Sequence, residues 1–168
     1  MSKVEVNSRT RTISWDDPMA ALEASADMNG LEFIRAIFEG RVPRPPITST
    51  MGFTGGEAEK GKVTFVGEAG EYLYNPIGVI HGGFAMAILD SAMGCAVHTT
   101  LAKGEAYTSL EAKVNFVRPI TLETGPVRCE GTVLHRGGTI ATAEGRLIAE
   151  RTGKLLAHGT STCLVFKR

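Results

Sequence analysis

The chain has 168 residues, 43 % hydrophobic and 21 % charged, which suits one folded unit with a real core. Its 18 basic and 18 acidic side chains cancel, and this balance argues against a nucleic-acid partner, which needs a basic excess. Cys95, Cys129 and Cys163 are odd in number, well separated and free of any C-x-x-C spacing. They suit a reduced, cytoplasmic interior better than a disulfide frame or a zinc site.

The first fifteen residues, MSKVEVNSRTRTISW, lack an apolar core of signal-peptide length. Residues 1–17 are polar and read as loosely ordered. A helix is expected from Asp17-Pro18, with Asp as cap and Pro in the first helical position, and Met19, Leu22 and Ala26 on one face. Asn29-Gly30 interrupts it. Leu31, Ile34, Arg35 and Phe38 space out a second short helix ending at Gly40. Pro43-Arg-Pro-Pro46 then forces extended backbone. The chain thus divides into an N-terminal helical extension, residues 1–46, and a main domain, residues 47–168.

In that domain Ile47–Gly52 and Lys62–Gly67 read as strands joined by a Gly-rich turn. A helix follows from about Gly82 to Leu101, apolar on all sides and therefore expected to be buried on most of them. Asp90 and His98 break its apolar run, so it is not a membrane span. Leu110, Ala112, Val114 and Phe116 alternate with polar neighbours, as in a half-buried strand ending at Arg118-Pro119. Val127–Arg136, a Gly137-Gly138 hairpin turn, Thr139–Glu150 and Leu155–Phe166 complete the pattern. The fold class is α+β. Only one helix is apolar enough to cover the sheet, so the simplest solution is a curved antiparallel sheet wrapped around it.

From Tyr72 to Ala102 there is no Lys, Arg or Glu, and Asp90 stands nine residues after His81. An ionised carboxylate among Ala, Met, Ile and Leu is expensive to desolvate, so Asp90 is a functional candidate. Gly82-Gly83 leaves backbone N–H groups open at a helix N-terminus, a place to hold a developing oxyanion. Asp90 lies about 12 Å further along the same helix. It cannot act on an atom held by its own Gly82, whereas a two-fold dimer would bring Asp90 of one subunit to Gly82 of the other. Ala87 and Gly94 flank Asp90 on its face of the helix and leave room for a substrate.

The run Asn75-Pro-x-Gly-x-x-His81-Gly82-Gly83-x(6)-Asp90-Ser-Ala-Met-Gly94 resembles the hotdog-fold acyl-CoA thioesterases, in their phenylacetate-pathway (PaaI-like) branch. So do Tyr107–Ile120 and Gly131–Ile148. The resemblance covers roughly residues 47–166. It implies a hotdog fold and hydrolysis of a small or medium, possibly aromatic, acyl-CoA to the free acid and coenzyme A. It implies Asp90 as nucleophile or as general base for water, and Gly82 N–H as the group polarising the thioester carbonyl. Asn75 orients substrate or water, and His81 assists thiolate departure. Ser109 or Thr108 positions the water; the loop length leaves both open. Gly83, Ala87 and Gly94 line the substrate site, and the absence of Thr at Gly94 suggests a roomier pocket than in the 4-hydroxybenzoyl-CoA branch. Arg118 and Arg136 are the candidates for the coenzyme A phosphates. No metal or further cofactor is implied, since coenzyme A belongs to the substrate. The partners expected are acyl-CoA and further copies of the chain, as a homodimer or a dimer-of-dimers tetramer with shared sites, and neither nucleic acid nor membrane.

Plainer readings exist. His81 could simply cap its helix. Cys95 is better read as a small buried hydrophobe than as a nucleophile. His98, His135 and His158 read as ordinary polar or strand residues. A hotdog enoyl or hydroxyacyl thioester hydratase-dehydratase would recruit His81 and Asp90 differently, and a non-catalytic acyl-CoA sensor would bind without turnover. Phe84, Met86, Met93 and the N-terminal helices set pocket depth.

Overall fold

The computed structural model describes residues 7–167. Four α-helices and six strands follow in chain order: α1 (Pro18–Ala24), α2 (Gly30–Phe38), α3 (Pro46–Met51), β1 (Phe53–Glu59), β2 (Lys62–Gly67), α4 (Gly82–His98), β3 (Glu105–Phe116), β4 (Val127–Arg136), β5 (Ile140–Ala149) and β6 (Leu155–Lys167). The strands form one antiparallel sheet in the order β1-β2-β4-β5-β6-β3. It curves around α4, the layout that both the hydrophobic pattern and the resemblance imply.

The core lies between α4 and the sheet. Ile88, Leu89 and Met93 are wholly buried against Val63, Val127, Cys129 and Leu147, and each such side chain contributes about 2 kcal/mol of burial. Close approach is built in at Gly131 on β4, where a Cβ would lie 2.2 Å from the Ala92 carbonyl oxygen. Helix and strand therefore meet backbone to backbone.

The N-terminal helices begin as their caps dictate. Asp17 accepts from the Met19 N–H at 2.8 Å with Pro18 in the first turn. Asn29 and Glu32 exchange both bonds of a capping box. The apolar residues grouped on one face point outward, and α1 ends at Ala24, before Ala26. Met19 and Leu22 are exposed, while Ala21 packs with Ala36, Ile37 and Val42. Residues 1–6 lie outside the described part. Beyond them the expected looseness gives way to contacts: Arg9 pairs with Glu71 at 2.5 Å, and Arg11 lies 3.7 Å from the Tyr72 ring centre.

Three readings of the main domain need correction. Ile47–Gly52 is not a strand: residues 46–51 form α3, started by Pro46 and ended by Gly52 at φ 77°, a left-handed position that favours glycine. β-branched Ile47, Thr48 and Thr50 suggest a strand, but the two punctuating residues decide. The first strand is β1, Gly55-Gly56 lie inside it, and the turn to β2 is at residues 60–61. α4 ends at His98 rather than Leu101. Finally, the alternation from Leu110 to Phe116 marks a sheet edge instead of a half-buried strand. β3 pairs only with β6, Leu110 is the extra residue of a bulge, and Leu110 and Phe116 are more than half exposed.

Candidate functional site

The predicted residues fall into two groups on α4. The first gathers at its N-terminus, around a cleft of about 460 Å³ lined by Asn75, His81, Gly82, Phe116 and Arg118, among others. Asn75 shapes the approach. Its Oδ1 accepts from the N–H groups of Ile77 at 3.1 Å and Val79 at 3.3 Å, so the loop turns back on itself and the side-chain NH₂ remains available. His81 caps the helix: its Nδ1 accepts from Gly83 N–H at 2.9 Å. An accepting Nδ1 in a neutral imidazole leaves the proton on Nε2, which can donate outward. Gly83 is thus spent on the cap. Gly82 N–H has no partner among the described residues and carries the positive end of the helix dipole. A Cβ at Gly82 would stand 3.1 Å from the Phe116 ring, so the bare backbone and the aromatic wall fit as a pair.

The second group lies two turns further on. Ser109 on β3 donates from Oγ to Asp90 Oδ1 at 3.0 Å. This selects Ser109 over Thr108 as Asp90's hydroxyl partner. Tyr107 and Ser109 face α4, and alternation turns Thr108 to the opposite side of the sheet. Asp90 itself is exposed in the single chain, as is Met86 one turn earlier, while Gly83 and Ala87 are half-buried. The expectation of a desolvated carboxylate is therefore not met within one chain: the sheet wraps most of α4 but leaves this stripe uncovered.

Gly94 does not open the pocket as expected. A Cβ there would lie 2.5 Å from the Tyr107 hydroxyl, so the tyrosine occupies that space. Burial raises the Tyr107 pKa well above its ordinary value, and the negative charge of Asp90 adds to it. It stays a neutral donor. Sequence reasoning misses Tyr107, and the one signal for it is the absent side chain at position 94. Burial, with the Asp90 charge second, also lifts the Cys95 thiol to about 12, in keeping with an inert small hydrophobe.

The two arginines separate. Arg118 lines the cleft, its Nη1 tied to the Leu155 carbonyl oxygen at 2.7 Å. Arg136 sits at the opposite end of the sheet, where it pairs with Glu105 at 3.3 Å and donates to the Gly137 carbonyl of the hairpin turn. Its charge is spent on holding the start of β3, which makes it a poor phosphate ligand. Gly137-Gly138 form the expected hairpin turn between β4 and β5. Among the described residues no group of three or more His, Cys, Asp or Glu could hold a metal ion, and no helix is long and apolar enough to cross a membrane.

Comparisons with known proteins place the chain in a family. The family model "Thioesterase superfamily" matches residues 77–156. Mouse acyl-coenzyme A thioesterase 13 is 30 % identical over 111 residues, 60 % of this chain and 78 % of that protein. A Saccharolobus solfataricus protein named as an esterase is 37 % identical over 67 residues, 40 % of this chain but only 46 % of its own length. Among solved structures, a phenylacetic acid degradation-related protein from Ralstonia eutropha superposes with a TM-score of 0.69 at 28 % identity, covering 78 % of this chain and 98 % of that one. The chain belongs to the thioesterase superfamily, a class of thioester hydrolases with the hotdog fold. Within it, this structural likeness is to the phenylacetate-degradation branch.

Proposed function

We propose that this protein hydrolyses a small or medium acyl-CoA to the carboxylic acid and free coenzyme A, at sites shared between two copies of the chain. The observation that carries the reading is the division of α4. An N–H donor, an Nε2 donor and an amide gather at its start, and an oriented carboxylate stands about 12 Å away at its middle. Neither half is sufficient for acyl transfer. A two-fold axis beside α4 would set Asp90 of one subunit against Gly82 of the other. Two features support that axis: the uncovered Met86–Asp90 stripe, and the free edge of β3 with exposed Leu110. Covering the stripe would also desolvate Asp90. A tetramer built from two such dimers, and a cytoplasmic setting in keeping with three free cysteines, complete the proposal.

In this scheme Gly82 N–H polarises the thioester carbonyl and stabilises the oxyanion. The Ser109 bond occupies Oδ1 of Asp90 and leaves Oδ2 to attack the carbonyl carbon, or to take a proton from the water that does. The tetrahedral intermediate expels the thiolate, which His81 Nε2–H steadies by a hydrogen bond and which takes up the proton that Asp90 removed from water, or one from solvent. Where Asp90 itself attacks, water then hydrolyses the acyl-Asp90 anhydride to the acid and frees the carboxylate. Asn75 orients the carbonyl or the water through its free NH₂. Thiol release from a panel of acyl-CoA thioesters tests the activity. Turnover of at least one member at about 1 s⁻¹ or faster is expected, and complete inactivity across aliphatic and aromatic members would refute it.

A further inference from the structure

The cleft at the start of α4 does not end at Arg118. Arg118, Pro119 and Leu156 also line a second cleft of about 310 Å³, whose other walls are the turn at residues 121–124 and the β5–β6 hairpin turn. Three cations face it: Arg118, Arg151 and Lys154. Among the described residues none of the three forms an ion pair. Two of them are aimed without being neutralised. Arg118 Nη1 donates to the Leu155 carbonyl at 2.7 Å and Arg151 Nη2 to the Glu123 carbonyl at 2.6 Å, so each guanidinium is fixed while most of its donors stay free. Arg128 and Arg136, by contrast, are matched to Glu130 and Glu105. One carboxylate, Glu123, shares the rim; a bond from Thr121 holds its pKa down, so it offsets one of the three charges and the cleft remains positive. In a chain of zero net charge, such a concave cluster of uncompensated cations suits a multiply charged anion.

We infer that this second cleft holds the phosphorylated nucleotide end of coenzyme A, with Arg118, Arg151 and Lys154 on its phosphates, while the pantetheine arm runs through the first cleft toward Gly82. The ligand's identity rests on the thioesterase reading. The 3′-phosphate and the diphosphate share the chemistry that these cations recognise, and a dephosphorylated ligand separates them.

The test is calorimetric titration of the full-length protein with coenzyme A, 3′-dephospho-coenzyme A and pantetheine, alongside hydrolysis of an acyl-CoA and the matching acyl-pantetheine. Removing one charge-assisted hydrogen bond costs about tenfold in affinity. The Lys154 side chain bonds to none of the described residues, so Lys154→Gln should disturb the fold little. It should weaken coenzyme A binding about tenfold, and Lys154→Gln combined with Arg151→Ala about a hundredfold. Pantetheine binding should not change. The KM for acyl-CoA should rise, with kcat/KM for acyl-pantetheine preserved. Lys60→Ala removes an equal charge from the β1–β2 turn and should change none of these. Equal binding of coenzyme A and its dephospho form by the wild type would assign the cations to the diphosphate, and weaker binding of the dephospho form would assign them to the 3′-phosphate. Unchanged coenzyme A affinity in Lys154→Gln and the double variant overturns the inference, as does an equal loss for coenzyme A and pantetheine. Cation-dependent coenzyme A binding without any thioester hydrolysis would instead overturn the activity and leave the nucleotide site standing.

Discussion

The two ends of the proposed site are built differently although one helix carries both. At the start of α4 the useful groups are backbone and cap: a free Gly82 N–H, a His81 ring fixed by Gly83, and a loop knotted by Asn75. At its middle the useful group is a side chain, Asp90, steadied from a different strand by Ser109. The first half depends on local sequence and is complete as soon as the helix starts. The second depends on the register between α4 and β3, and the single chain leaves it exposed. A rigid helix can thus hold electrophilic and nucleophilic groups apart when a symmetric partner restores the pairing.

Breaking the second half should give the largest effect. Asp90→Asn keeps the size of the side chain and the Ser109 bond but removes the base or nucleophile; kcat should fall about 10²–10⁴-fold, while binding of unhydrolysed acyl-CoA analogues persists. Near-normal turnover would remove Asp90 from the chemistry. Breaking the first half comes next. Gly82→Pro keeps the backbone of the first helical position, asks the exposed Phe116 ring to shift slightly and deletes the N–H donor. A loss of about 10²–10³-fold in kcat is expected, against little change for Gly82→Ala, which crowds the same ring but keeps the N–H. A change in KM alone would mean that this N–H binds substrate without stabilising the transition state.

Smaller changes sharpen the comparison. Ser109→Ala should lower kcat by about tenfold and Thr108→Ala should leave it within about twofold, since only one hydroxyl faces Asp90; the reverse order would mean the register at the β3 bulge differs during turnover. Gly94→Ala forces the Tyr107 hydroxyl to move, and a loss of about 1–3 kcal/mol in denaturant unfolding is expected, partly relieved by Tyr107→Phe. Cys95, its thiol lifted to about 12, should stay protonated at neutral pH and react with iodoacetamide far more slowly than free cysteine.

Much of this is legible in the chain. Asp17-Pro18, Asn29-Gly30 and Gly137-Gly138 name their caps and turns by local chemistry, and the run around Asp90, free of Lys, Arg and Glu, marks the central helix. What escapes depends on neighbours that sequence spacing does not give. α3 is hidden because β-branched residues fill a helix set by Pro46 and Gly52. The exposure of β3 follows from its place at the sheet edge, which the alternation of Leu110 to Phe116 cannot report. Gly94 reads as open space because the residue filling it, Tyr107, arrives from another strand. Arg136 reads as available because its partner Glu105 lies 31 positions away. Arg151 and Lys154 carry no signal of their own, since only the fold sets their hairpin beside Arg118.

The central claim is that each site takes Asp90 from one subunit and Gly82 from another. Mixing Asp90→Asn with Gly82→Pro under conditions of subunit exchange tests it directly. Each inactive protein supplies what the other lacks, so a mixed dimer regains one intact site of its two. With random exchange of equal amounts, activity should recover to about a quarter of wild type. No recovery, with mixed dimers demonstrated by mass spectrometry, would contradict a shared site.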